Sequence, residues 1–178
     1  MDLRKPIRNL VLIGFMGSGK SSVGREIARR GCFRFFDTDA IIRHKYGKSI
    51  SEIFSDRGEA AFRDEEHSLL KGLRNSRGII LATGGGIVLQ PRNLPLLRQL
   101  GVVVWLTADE QTLWLRVRQN PTRPLLQTEN PRETLRKLSS ERAAIYRSIA
   151  DLTVDSTGLS HAEVADKILS SVQNLTDG

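Results

Sequence analysis

The sequence predicts an α/β domain: a parallel β-sheet with helices on both faces. Two patterns carry this. Short aliphatic runs without polar alternation recur between longer segments of helical periodicity. The first of these runs also passes directly into a glycine-rich turn that opens a helix. At 178 residues the chain has the size of a single domain with one well-buried core, and neither repeats nor linkers divide it.

Strands are expected at Asn9 to Ile13, Arg34 to Phe36, Ile79 to Ala82, Val102 to Leu106 and Leu152 to Val154. Helices are expected at Lys20 to Arg29, Asp39 to Tyr46, Glu59 to Leu73, Arg92 to Leu100, Glu110 to Arg118, Arg132 to Ala150 and Ser160 to Gln173. Between two of these helices, Gln119 to Asn130 carries Pro121, Pro124 and several polar residues. It reads as a loop, and its length suits either a mobile lid or a plain surface connection.

Lys and Arg exceed Asp and Glu by 27 to 20, a net charge of +7 that suits anionic ligands without choosing among them. The basic residues are scattered, and pairs such as Arg29–Arg30 and Arg116–Arg118 lie on expected helices, where a solvated face explains them equally well. A lone Cys32 rules out an intramolecular disulfide. The start MDLRKPIRN lacks the apolar core of a secretory signal, so a cytoplasmic location is expected. No apolar run approaches the ~20 residues of a membrane span. His44, His67 and His161 show no metal-ligand spacing with Cys32 and read as surface or packing residues.

The stretch GFMGSGKSSVG, Gly14 to Gly24, fits a phosphate-binding loop between a buried strand and a helix. Gly14, Gly17 and Gly19 allow backbone N–H groups to crowd around an anion. Lys20 adds a point charge for the β- and γ-phosphates, Ser21 offers a hydroxyl to Mg²⁺, and the helix turns its positive end to the same phosphates. Ser18 and Ser22 complete the loop residues expected at the nucleotide.

In a parallel sheet the ligand lies outside the carboxyl ends of the strands, so the acceptor is sought there. Asp37 and Asp39, two apart in FFDTD, project to one side of an extended chain. One carboxylate near Mg²⁺ and one near an acceptor hydroxyl would serve phosphoryl transfer. Turn residues or a helix N-cap would use the same pair. In ATGGGIV, the consecutive Gly84, Gly85 and Gly86 suit a binding loop that needs close backbone approach, or a tight turn. Arg63 and Glu66 stand one helical turn apart, so the acid can hold the guanidinium in place. Arg123 lies in the expected lid beside Pro124, and Arg142 on the following helix.

Taken together, GFMGSGKSSVG, DTD, GEAAFRDEE, ATGGG, RPLL and ERAAIYRSIAD resemble the shikimate kinase family in order and approximate spacing, from about Val11 to Val154. The resemblance implies a nucleoside-monophosphate-kinase-like fold and Mg²⁺-dependent transfer of the γ-phosphoryl of ATP to the 3-hydroxyl of shikimate. It assigns Lys20 and Ser21 to phosphates and metal, Asp37 to the metal, and Asp39 to the acceptor hydroxyl. Arg63 and Arg142 would clamp the substrate carboxylate, and the N–H groups of Gly84, Gly85 and Gly86 would add contacts. Arg123 would close over the transferring group, and Arg116 would lie against adenine. Ser22 stands where Thr is common, Gly31 where an apolar residue is usual, and DSTGLSHAE lacks an arginine that some members place near adenine.

Chemistry agrees, since a small hydroxylated acid needs planar bidentate donors for its carboxylate and an acceptor for its hydroxyl. A gluconate kinase would share the loop but lack the three arginines. A GTP-operated switch would need an Asn-Lys-x-Asp segment, which is absent, and a nucleic-acid module would bind with steep salt dependence. A monomer without nucleic-acid or membrane partners is expected.

Overall fold

The computed structural model describes residues 9–118, 126 and 128–177. Five strands, β1 (Asn9–Ile13), β2 (Arg34–Asp37), β3 (Ile79–Ala82), β4 (Val102–Thr107) and β5 (Leu152–Asp155), form one sheet in the order β2-β3-β1-β4-β5. Every pairing is parallel. The register aligns Leu12 with Ala82, Ala82 with Asp37, and Ile13 with Trp105, which brings the carboxyl ends of β1, β2, β3 and β4 to one edge. The chain order reverses around β1, whose neighbours are β3 and β4, and this opens a crevice beyond its last residue.

Apart from Asn9 and Thr107 at their ends, the central strands are apolar because both faces are covered. Val11, Ile13, Leu81, Val103 and Trp105 point to one side and Leu10, Leu12, Ile80, Val104 and Leu106 to the other. On the second side α1 (Lys20–Gly31) and α7 (His161–Asp177) supply Val23, Ile27, Ala165 and Ile168. On the first, α4 (Leu94–Leu100), α5 (Glu110–Val117) and α6 (Pro131–Ile149) supply Leu97, Leu113, Leu135, Tyr146 and Ile149. Gly24 lets α1 approach β2, since a β-carbon there would lie 2.6 Å from the Phe35 ring.

The remaining helices, α2 (Thr38–Tyr46) and α3 (Ile50–Leu73), project beyond the sheet edge around a smaller cluster of Ile42, Ile53 and Phe62. α3 begins nine residues before the Glu59 expected from the sequence. A capping box between Ser49 and Glu52 starts it, and Gly58, at φ 81 and ψ 161, kinks it where the pattern suggested a beginning. The expected Arg92 to Leu100 helix is likewise divided, a 3₁₀ turn at Pro91–Asn93 leading into α4. Elsewhere the strand and helix expectations hold to within a few residues at each end. No described helix is long and apolar enough to cross a membrane.

Asn9 is a polar residue buried at the start of β1. Its Nδ2 donates to the Ser76 and Leu100 carbonyls at 2.9 and 2.6 Å, and its Oδ1 accepts from the Ile79 amide at 3.1 Å. Replacing it strands three backbone groups of the segments flanking β1. Asn9→Ala should therefore lower stability by about 1–3 kcal/mol, read as a fall in the thermal midpoint; an unchanged midpoint would show that the network is dispensable.

Candidate active site

The phosphate loop leaves β1 through Gly14, Gly17 and Gly19, all with positive φ. At Gly14 a β-carbon would lie 2.3 Å from the Leu106 carbonyl oxygen of β4, and at Gly17 one would lie 2.8 Å from Val117 Cγ1. The loop thus lies so close to β4 and α5 that side chains are excluded. α1 then begins behind Gly19 with neither a side-chain cap nor an acidic residue in its first turn. Its leading N–H groups face the crevice as an anion site. The Lys20 ammonium, almost wholly buried, donates to the Gly14 and Phe15 carbonyls at 2.9 and 2.8 Å.

A cavity of about 330 Å³ opens in front of this turn, lined by Met16, Gly17, Gly19, Lys20, Ser21, Ser22, Asp37, Asp39, Thr83, Gly85, Arg116 and His161. Most of the residues expected at the nucleotide are therefore together. Gly14 and Ser18 do not line it. The Ser18 side chain is buried and lies 3.5 Å from Lys20 Nζ, while its carbonyl accepts from Ser156 Oγ at 3.2 Å. Both residues shape the loop from behind.

Asp37 takes the N-cap reading and also meets the phosphate loop. Its Oδ1 caps α2 by accepting from the Ala40 amide at 3.0 Å, and its Oδ2 accepts from Ser21 Oγ at 2.5 Å. The cap turns the carboxylate toward the phosphate loop, and Ser21 and Asp37 present adjacent hard oxygens at the cavity. That donor set fits Mg²⁺, which takes one or two protein oxygens and completes its shell with water and substrate phosphates.

The loop after β3 borders this cavity through Thr83 and Gly85. Gly84 N–H, expected as a substrate contact, donates to Thr38 Oγ1 at 2.8 Å. The need for glycine there is steric, since a β-carbon would lie 2.5 Å from Asp39 Oδ1 and 2.9 Å from Glu66 Oε1. The Gly85 carbonyl accepts from Tyr146 Oη at 2.5 Å and from Arg142 Nη1 at 3.3 Å. At Gly86 a β-carbon would meet the Arg63 guanidinium at 2.5 Å. Arg63 and Arg142 are thereby seated at neighbouring glycines, both buried, with Arg142 also 5.4 Å from the centre of the Phe15 ring.

Arg63 is fixed from two sides. Glu59 Oε1 accepts from its Nη2 at 2.6 Å and Glu66 Oε2 from its Nη1 at 2.8 Å. Glu66 is fully buried, and its Oε1 makes no hydrogen bond among the described residues. Burial pushes its carboxyl up to about 7 against the pull of Arg63, with the Asp39 and Glu59 charges adding to the rise. A raised carboxyl favours the folded state below its ordinary value of 4.5, and that benefit is lost as pH climbs through about 7. Burial also pushes Tyr146 up to about 12, so it remains a hydrogen-bond donor to Gly85.

Arg116, expected against adenine, acts as a tie. It donates to the Gly17 carbonyl at 3.2 Å, to Ser156 Oγ at 3.0 Å and to the Ser156 carbonyl at 3.1 Å, joining the phosphate loop to the turn after β5. Arg123, with 119–125 and 127 of the expected lid, lies outside the described residues. Thr38, Tyr146, Ser156 and His161 were not singled out for the site by the sequence. Thr38 sits between the two aspartates and Tyr146 one turn after Arg142, and those positions were the available signal.

The family model of shikimate kinase matches residues 16–173. The chain belongs to the shikimate kinase family. It is 42% identical over 172 residues to the shikimate kinase of Thermodesulfovibrio yellowstonii, covering 97% of this chain and 99% of that protein. The shikimate kinase of Cupriavidus pinatubonensis is 43% identical over 173 residues, covering 97% and 89%. Among solved structures, a shikimate kinase from Acinetobacter baumannii in complex with shikimate superposes with a TM-score of 0.91 at 37% identity, covering 94% of each chain. Membership in the shikimate kinase family makes ATP the phosphoryl donor.

In the site of this shikimate kinase family member, the Lys20 ammonium rests on the loop carbonyls at the mouth of the helix, where the sequence expects it to meet phosphate. Lys20→Ala should preserve the fold and lower turnover on the order of 10²- to 10³-fold, as expected for loss of one charge-stabilising donor. Steady-state ADP release checks this, and a folded variant with near-native turnover would remove Lys20 from the chemistry.

Proposed function

We propose that this chain transfers the γ-phosphoryl group of ATP to the 3-hydroxyl of shikimate, a step toward chorismate and the aromatic amino acids. The observation that carries the residue-level reading is the placement of Arg63 and Arg142 at Gly86 and Gly85, beside Asp39 and next to the phosphate-loop cavity. Two buried guanidinium groups form a seat for a small carboxylate, and Asp39 stands where a hydroxyl of the same molecule would reach the phosphate loop.

In this reading the nucleotide enters the cavity with its phosphates on the N-terminus of α1 and on Lys20. Ser21 and Asp37 would hold Mg²⁺, whose chemistry is to neutralise charge on the phosphate oxygens. Arg63, locked by Glu59 and Glu66, and Arg142, resting on the Gly85 carbonyl, take the acceptor carboxylate. Asp39 accepts the hydrogen bond of the acceptor hydroxyl and orients its oxygen toward the γ-phosphorus. Catalysis is then positioning and charge compensation, without a covalent enzyme intermediate. Arg116 flanks the base, and Arg123 is assigned to the transferring group.

Offering shikimate, gluconate and nucleoside monophosphates separately in a coupled ADP-release assay tests the substrate. Shikimate alone should support turnover; comparable rates with gluconate would overturn the choice of shikimate, and comparable rates with a nucleoside monophosphate, which has no carboxylate, would overturn the carboxylate-clamp reading. Asp39→Asn should cut turnover about 10²- to 10⁴-fold, the range for loss of a proton-accepting group, while ATP affinity measured by calorimetry stays near wild type. Collapse of ATP affinity instead would move Asp39 to the nucleotide side. Gly86→Ala should push Arg63 off its seat and lower kcat/KM for shikimate up to about 10²-fold. KM for ATP should stay within roughly twofold, because the nucleotide cavity does not include Gly86; an unaffected shikimate constant would detach Gly86 and Arg63 from the acceptor.

A further inference from the structure

We propose that Glu66 is a proton-uptake residue of the acceptor site: it gains a proton on Oε1 when a carboxylate binds Arg63, and then holds the Asp39 side of the site as a hydrogen-bond donor. This rests on the shikimate reading given above and adds a role to Glu66 beyond holding Arg63.

The geometry starts with an asymmetric carboxyl. Oε2 is committed to Arg63 Nη1 at 2.8 Å, whereas Oε1 is buried without a hydrogen bond among the described residues. That oxygen is directed at Gly84, and the Asp39 carboxylate presses on the same glycine from α2. The charged groups around Glu66 are Arg63 and Glu59 from its own helix and Asp39 from α2, with Arg142 and Tyr146 of α6 at the adjacent Gly85. Its neighbour His67 turns instead to Asn93, with 2.8 Å between Nδ1 and Oδ1.

Before the acceptor arrives, Arg63 is the cation that favours ionised Glu66, against burial and the Asp39 and Glu59 charges. A bound carboxylate competes for that guanidinium and adds a negative charge beside a carboxyl already reluctant to ionise. Protonating Oε1 removes the added charge. It also turns an acceptor lacking a partner into an O–H donor toward Asp39, the acceptor hydroxyl or a water between them. The proton comes from solvent and leaves with the product, and no other bond changes. Glu66 is near enough to half-protonated at neutral pH for a modest perturbation to complete the change.

Shikimate binding to the full chain, measured by calorimetry in buffers of different ionisation enthalpy, tests this. Net uptake should approach one proton per shikimate near about pH 8 and vanish near about pH 6, where Glu66 is already protonated. Affinity should fall by up to about tenfold per pH unit above neutrality. Glu66→Gln, which keeps a side-chain oxygen for Arg63, should still bind shikimate with no uptake and a flat pH dependence. A wild type that binds without uptake at about pH 8 overturns the proposal even if the variant fails to fold. Uptake that persists in the variant assigns the proton elsewhere, with Asp39 the first candidate, and overturns it too. Absence of any binding heat together with absence of shikimate-dependent ADP release would instead overturn the substrate reading on which this rests.

Discussion

Backbone packed against backbone at the carboxyl end of β1 is the constraint on which the rest of the site depends. The phosphate loop turns within van der Waals range of the Leu106 carbonyl, and the loop after β3 lies over it, so that a β-carbon at Gly85 would be 3.4 Å from both the Gly14 oxygen and the Met16 nitrogen. With no side chains between them, the turn after β1 and the loop after β3 are nearly one surface. A phosphoryl group can then be within reach of both. The parallel sheet makes this possible because it delivers the ends of β1, β2 and β3 at one level.

The polar groups that this packing encloses are held in states suited to binding more than to stability. α1 carries no side-chain cap where a surface helix would have one. Arg63 and Glu66 are buried as a pair, an arrangement that gains little net stability because desolvation offsets attraction. What the pair provides is orientation: Glu59 and Glu66 grip opposite parts of one guanidinium and leave it beside Gly86. Arg116 and Ser156 do the same for the nucleotide side, fastening the turn after β5 to the loop carbonyls.

Much of this was legible in the sequence, for identifiable reasons. Strands buried on both faces read as unbroken aliphatic runs, so NLVLI and IILA were located to the residue. The phosphate loop was legible because each position has a chemical requirement, and Arg63 with Glu66 because helical spacing puts them on one face. Roles set by tertiary approach were not. Nothing local says that the Gly84 amide is taken by Thr38, that Ser18 faces inward, or that Ser156 ties two loops together. The first half of α3 was missed because Gly58 resembles a boundary, while the capping box at Ser49 and Glu52 was the stronger local signal.

The kink at Gly58 has a consequence for how the molecule responds to stress. The forward half of α3 and all of α2 rest on Ile42, Ile53 and Phe62, a satellite separate from the two clusters on the faces of the sheet. With so little buried area of its own, this corner forms a cooperative unit of lower local stability than the platform beneath the phosphate loop. Asp39 rides on α2, whereas Arg63 follows the kink on the half of α3 that reaches the sheet cluster through Leu70, and Lys20 begins the helix packed on the sheet. Amide exchange should therefore be faster in α2 and the forward half of α3 than in the half of α3 that carries Arg63 or in α1, along a boundary set by one glycine.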